Sequence, residues 1–161
     1  MTVDRDQAGQ KALEFSEKLW KHGDFWEFET SEYERARAAV GPDSAIDFRA
    51  GNAMDYGWRA EGPWDLIVMN DTICYLGWLY SFFDIAWFAS EVHEAIRPGG
   101  RFLMANTMDK QGYDKLLLPH ITRGYRDLVL NVGFVLDREE TIEGTKNGVE
   151  FATLISLFAR R

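Results

Sequence analysis

The sequence predicts an α/β domain: a shortened, doubly wound and mainly parallel sheet closing in a C-terminal antiparallel hairpin. Three observations carry that expectation. Segments of helical period alternate with short runs of strand character. Leu66 to Met69 is apolar without a break, as a strand covered on both faces would be. Lys146-Asn147-Gly148 supplies the left-handed residues of a hairpin turn between two extended stretches. With 161 residues, 46% of them hydrophobic and 14% aromatic, the chain has material for one core. Residues 1–161 therefore read as a single domain, with a helical segment over 1–40 and an α/β core over 45–161.

Taken in order, Gln7 to His22 sets Ala12, Phe15, Leu19 and Trp20 near one face among charged neighbours, an amphipathic helix that Gly23 ends. Thr30-Ser31 followed by Glu34 has capping-box spacing and opens a second helix over Glu32 to Val40, stopped by Gly41-Pro42. Ala45 to Ala50 alternates Ile46 and Phe48 with polar residues, the pattern of a half-buried strand. Gly51 to Pro63 reads as loop, Leu66 to Met69 as the covered strand, and Leu79 to Ile96 as one long aromatic-rich helix. Arg97-Pro98-Gly99-Gly100 turns that helix into a strand over Arg101 to Ala105. Pro119 to Asn131 repeats apolar residues at Ile121, Tyr125 and Leu128, a helical spacing that Gly133 caps. Phe134 to Ile142 is extended, and Val149 to Ala159 returns beside it.

The formal charge of −8, without clustered Lys and Arg, argues against nucleic acid as a partner. The single cysteine, Cys74, has no second thiol for a disulfide or a metal pair, which suits a reducing compartment. Met1 to Gln10 is polar and acidic, unlike a signal peptide, and no apolar run is long enough to span a membrane, so a soluble cytoplasmic protein is expected. His22, His93 and His120 are scattered without HxxxH spacing, so no metal site is expected, and His93 between Glu91 and Glu94 reads as a surface residue. No Gly-x-Ser-x-Gly elbow is present, and Cys74 has no base beside it in sequence, which leaves hydrolase chemistry without support.

The run Gly62-Pro63-Trp64-Asp65-Leu66-Ile67-Val68-Met69-Asn70-Asp71, then Tyr75-Leu76, a helix, and Ile96-Arg97-Pro98-Gly99-Gly100-Arg101-Phe102-Leu103, resembles the fourth through fifth strands of class I S-adenosylmethionine-dependent methyltransferases. Phe25 to Arg35 resembles the opening segment of the nodulation-protein-S-like members, and Gly144 to Phe151 suits their closing hairpin. The resemblance covers nearly the whole chain and implies a Rossmann-like fold with S-adenosylmethionine as methyl donor. One departure is large. Between Val40 and Ala45 the family inserts a first strand, a Gly-x-Gly-type loop, a helix and a second strand with an acidic residue for the ribose, about forty residues in all. Gly51, Gly57, Gly62, Gly77 and Gly99-Gly100 form no substitute for that loop, whose glycines let backbone approach the cofactor.

The resemblance assigns site residues by position. Asn52, in Gly51-Asn52-Ala53, stands where the family usually has an acidic residue that receives the adenine amino group; its amide oxygen offers the same acceptor, and the alternative is that it shapes a turn. Asn70 and Asp71 follow the covered strand, at the carboxyl edge where doubly wound sheets place ligands. Asp71 is expected to orient a substrate amine or accept its proton, or else to cap the following helix. Trp26, Tyr33 and Tyr75 would approach the methyl-donor pocket, where an aromatic face favours a sulfonium, with core packing as the alternative. Arg37, one helical turn from Tyr33, would meet the cofactor carboxylate or lie on a solvated helix face.

Three readings follow. The first is a methyltransferase acting on a small molecule, with N-methylation of an amine-bearing metabolite or sugar implied by the nodulation-type resemblance. The second is a non-catalytic binding or regulatory relative that has lost the cofactor loop. The third adds a homodimer in which another copy supplies missing sheet neighbours.

Overall fold

The computed structural model describes residues 52–55, 57–112, 115–146 and 149–161, together with Ala39, Ala45 and Ile46. The elements expected over 7–22, 32–40 and 45–50 lie outside them, apart from Ala39, Ala45 and Ile46. The chain divides into two compact units, Met1–Asn52 and Ala53–Arg161. In the first, Ala39 is helical, and Ile46 and Asn52 are exposed. The second carries the sheet.

That sheet has strands β1 (Trp64–Asn70), β2 (Ile96–Asp109), β3 (Val135–Lys146) and β4 (Val149–Ala159), in the spatial order β1-β2-β4-β3. β1 and β2 are parallel, whereas β2–β4 and β3–β4 are antiparallel. Among the described residues the sheet is therefore mixed where a mainly parallel one was expected. The hairpin pairs Val135 with Ala159 and Lys146 with Val149, its register shifting between Leu136 and Arg138, and Asn147 and Gly148, expected to supply the turn, lie outside the described residues.

The strand expected over 101–105 is longer at both ends. Trp64 pairs with Ile96 and Leu66 with Arg101, two steps along β1 against five along β2, so the Arg97-Pro98-Gly99-Gly100 turn is absorbed as an irregularity inside the ladder. Gly100 is required there. A β-carbon on it would stand 2.9 Å from the Asp65 carbonyl oxygen and 3.0 Å from that of Arg97. Arg160 closes the same corner, donating from Nη1 to the Glu94 carbonyl at 2.7 Å and to that of Ile96.

The helix expected over 79–96 is α2 (Phe82–Ala95), and a separate short helix, α1 (Ile73–Leu79), not expected from the sequence, precedes it. Ser81 divides them. Its hydroxyl accepts from Asp84 N at 3.3 Å while the Asp84 carboxylate accepts from Ser81 N at 3.0 Å, a reciprocal cap that starts α2 afresh. α3 spans Pro119–Asn131 as expected, with proline at its start, and Gly133 follows its end at φ 118°.

All three helices contribute to one core cluster on one face of the sheet. Ile73 and Leu76 of α1, Ile85, Phe88, Ala89 and Val92 of α2, and Leu128 and Val129 of α3 meet Met69, Phe102, Met104 and Phe158 of the strands. Phe102, Phe134 and Phe158 pack together with ring centroids 5.6, 5.9 and 6.1 Å apart. Burial of each such side chain contributes roughly 1.5–3 kcal/mol. Among the described residues β1 is covered on this face, while Leu66 and Val68, turned to the other, are 50% and 56% exposed. His93, read as a surface residue, is half-buried edge-on against Phe134, with centroids 4.8 Å apart. No helix among the described residues is long and apolar enough to cross a membrane.

Candidate functional site

β1 and β2 run in the same direction, so their carboxyl ends share one edge, where open α/β sheets receive ligands. Asn70, the last residue of β1, is exposed there and pairs with Ala105. Asp71 follows in the left-handed region, φ 46°, which non-glycine residues seldom occupy. Its N–H donates to the Ala105 carbonyl at 2.8 Å. Its carboxylate is held by one residue of the neighbouring strand: Oδ1 accepts from Thr107 N at 2.5 Å, and Oδ2 accepts from Thr107 Oγ1 at 2.9 Å.

α1 starts at the same edge. Thr72 occupies its N-cap position without a side-chain cap bond, its hydroxyl donating instead to the Asn70 carbonyl at 2.8 Å. Asp71 therefore does not cap the helix, the alternative weighed for it from sequence; it clasps β2. Tyr75 is half-buried in the first turn of α1, beside the buried Cys74, whose thiol lies 3.8 Å from the Asp71 carbonyl oxygen. Asp109, at the end of β2, shapes the next loop by accepting from Gln111 N at 2.8 Å and Gly112 N at 3.1 Å.

Asn70, Asp71 and Tyr75 are thus brought to one edge by β1 and α1. Ala53 is half-buried, and its carbonyl accepts from Trp58 Nε1 at 2.9 Å, while Trp58 packs edge-on against Phe88 with centroids 6.0 Å apart. Trp64 Nε1 donates to the Trp58 carbonyl at 3.0 Å, tying the start of β1 to the Trp58 turn. Asn52 is exposed and belongs to the other unit. Trp26, Tyr33 and Arg37 lie outside the described residues. Thr107 was not singled out from sequence; nothing local marks a residue that acts 36 positions away.

An oriented carboxylate beside an exposed amide suits a cationic or hydrogen-bond-donating ligand. Among the described residues no group of three or more His, Cys, Asp and Glu is arranged to hold a metal.

No protein-family model matches the sequence, and no curated protein matches it. Solved structures do. The N-methyltransferase NodS from Bradyrhizobium japonicum WM9, in complex with S-adenosyl-L-homocysteine, is 14% identical over 73% of this chain and 55% of its own, with a TM-score of 0.54. A S-adenosylmethionine-dependent methyltransferase from Methanosarcina mazei is 13% identical over 79% of this chain and 74% of its own, with a TM-score of 0.55. The chain spans little more than half the length of NodS. These likenesses show the fold: the Rossmann-like fold of S-adenosylmethionine-dependent methyltransferases.

Proposed function

We propose that this chain is an S-adenosylmethionine-dependent methyltransferase that methylates the nitrogen of an amine-bearing small molecule. The observation that carries the reading is the Asp71 carboxylate, held in a fixed direction at the carboxyl edge of a methyltransferase-type sheet. That donor set fits the group: a carboxylate and an exposed amide complement a cationic sulfonium and its amino and hydroxyl substituents.

When bound, S-adenosylmethionine supplies an electrophilic methyl group on sulfur. The chain's own residues do the rest. Asp71 orients the acceptor amine and takes up its proton, leaving the nitrogen lone pair free to attack. Asn70 offers its side-chain amide to the donor's polar groups. Tyr75, half-buried in α1, supplies an aromatic face toward the acceptor. Transfer then depends chiefly on proximity and orientation.

Isothermal titration with S-adenosylmethionine and S-adenosylhomocysteine tests the reading. Saturable micromolar binding is the expected result. No heat from a folded protein would remove the methyltransferase assignment and leave a scaffold that serves another partner.

A further inference from the structure

The proposed site gives Asp71 its direction through a residue that has no part in the proposed chemistry. A carboxylate has about four lone-pair sites, and Thr107 takes one on each oxygen, from its main-chain N–H and from its hydroxyl. With the Asp71 N–H bound to the Ala105 carbonyl, three bonds join the end of β1 to β2 across residues 105–107. They hold Asp71 in the left-handed region, φ 46°, which aspartate reaches more readily than most residues but still seldom occupies. The carboxylate cannot turn about its χ2 without breaking at least one bond, and the remaining lone pairs keep one direction.

We propose that Thr107 is a positioning residue that aims the Asp71 carboxylate at the reaction centre, where it faces the sulfonium when the donor binds and the acceptor amine when the methyl group is transferred. This rests on the methyltransferase reading above. A fixed carboxylate needs no reorganisation when a cation arrives, and the attraction falls with distance, so aim matters as much as charge. The recognised chemistry is a sulfonium against the neutral thioether left after methyl transfer, two ligands alike but for one methyl group and one charge.

The test compares wild type, Thr107→Val and Thr107→Ser by titration with S-adenosylmethionine and S-adenosylhomocysteine. Valine keeps the side chain's shape and deletes the hydroxyl; serine restores it. Wild type should favour the sulfonium, and Thr107→Val should cut the ratio of the two affinities by about 3–10-fold. Thr107→Ser should return it to within about 2-fold. In an Asp71→Ala background Thr107→Val should leave the ratio unchanged, because the carboxylate it aims is gone. Weaker binding of both ligands in proportion, with the ratio intact, would make Thr107 merely structural and overturn the proposal alone. A wild type that binds neither ligand would overturn the methyltransferase reading and this role with it. Thr107→Ala replaces the valine variant if that one does not fold.

Discussion

A β-carbon placed on Gly77 would stand 1.8 Å from the Tyr125 hydroxyl oxygen and 2.6 Å from its Cζ. The Tyr125 ring of α3 thus fills the space on α1 that a side chain would occupy. Burial raises the phenol's pKa, and Cys74 adds a smaller push in the same direction. Gly77→Ala must displace that ring, and overpacking of this kind costs about 1–3 kcal/mol. An alanine in a helix gains only about 0.5–1 kcal/mol over glycine, so a net loss is expected in urea unfolding. Gly124→Ala, on α3 with nothing within 4 Å of the new methyl, should show the gain alone. Equal shifts in the two variants would mean that Tyr125 swings away freely.

The Ser81–Asp84 cap predicts a second measurable loss. The Asp84 carboxylate accepts from both the hydroxyl of Ser81, at 2.6 Å, and its N–H, at 3.0 Å. Either residue changed to alanine should cost roughly 1 kcal/mol. Because the two bonds form one device, the double variant should cost less than the sum of the singles. Strict additivity in calorimetry would show that the two act independently.

Legibility followed the range of the forces involved. The bounds of α3 were readable because apolar spacing, a starting proline and a terminal glycine agree within 15 residues, Pro119 to Gly133. The hairpin was readable for the same reason. The seven residues of α1 were hidden in a continuous apolar stretch, and α2 was begun at Leu79 although Ser81-Phe82-Phe83-Asp84 carries capping-box spacing. β2 was cut short because proline and glycine usually end a strand, whereas here a ladder irregularity accommodates them. At the site, Asn70 and Asp71 could be placed because the strand before them is plain in the sequence. Thr107 could not, since its bond to Asp71 exists only once β1 and β2 pair in register. The direction of the helices' apolar faces was likewise a tertiary outcome: among the described residues they pack on the face opposite Leu66 and Val68.

Phe83 and Trp87, one turn apart on α2, are 72% and 60% exposed and point away from Ile85, Phe88 and Val92. Their rings add nothing to the core. Phe83→Gln combined with Trp87→Gln should therefore change stability by no more than about 0.5 kcal/mol while reducing non-specific association. Sedimentation velocity and thermal unfolding check both halves. A large drop in thermal midpoint would show that these rings pack within the folded chain.

His93 predicts the pH dependence. Burial against Phe134 lowers its pKa below the ordinary value of 6.5, and the positive charge of Arg160 pushes the same way, while Glu94 opposes them. The folded chain therefore binds this proton less readily than the unfolded one. Above pH 6.5 the imidazole is neutral in both states, and its contribution to stability is fully present. As pH falls below 6.5 the unfolded chain takes up the proton first, so stability declines until the lower pKa of the folded state is passed. Denaturant titrations at stepped pH should show this slope in wild type and a flatter one in His93→Gln. Arg160→Met removes the charge that helps lower the pKa, so it should also reduce the slope, by less than His93→Gln because burial remains the larger cause. An unchanged slope in His93→Gln would assign the acid sensitivity to other groups.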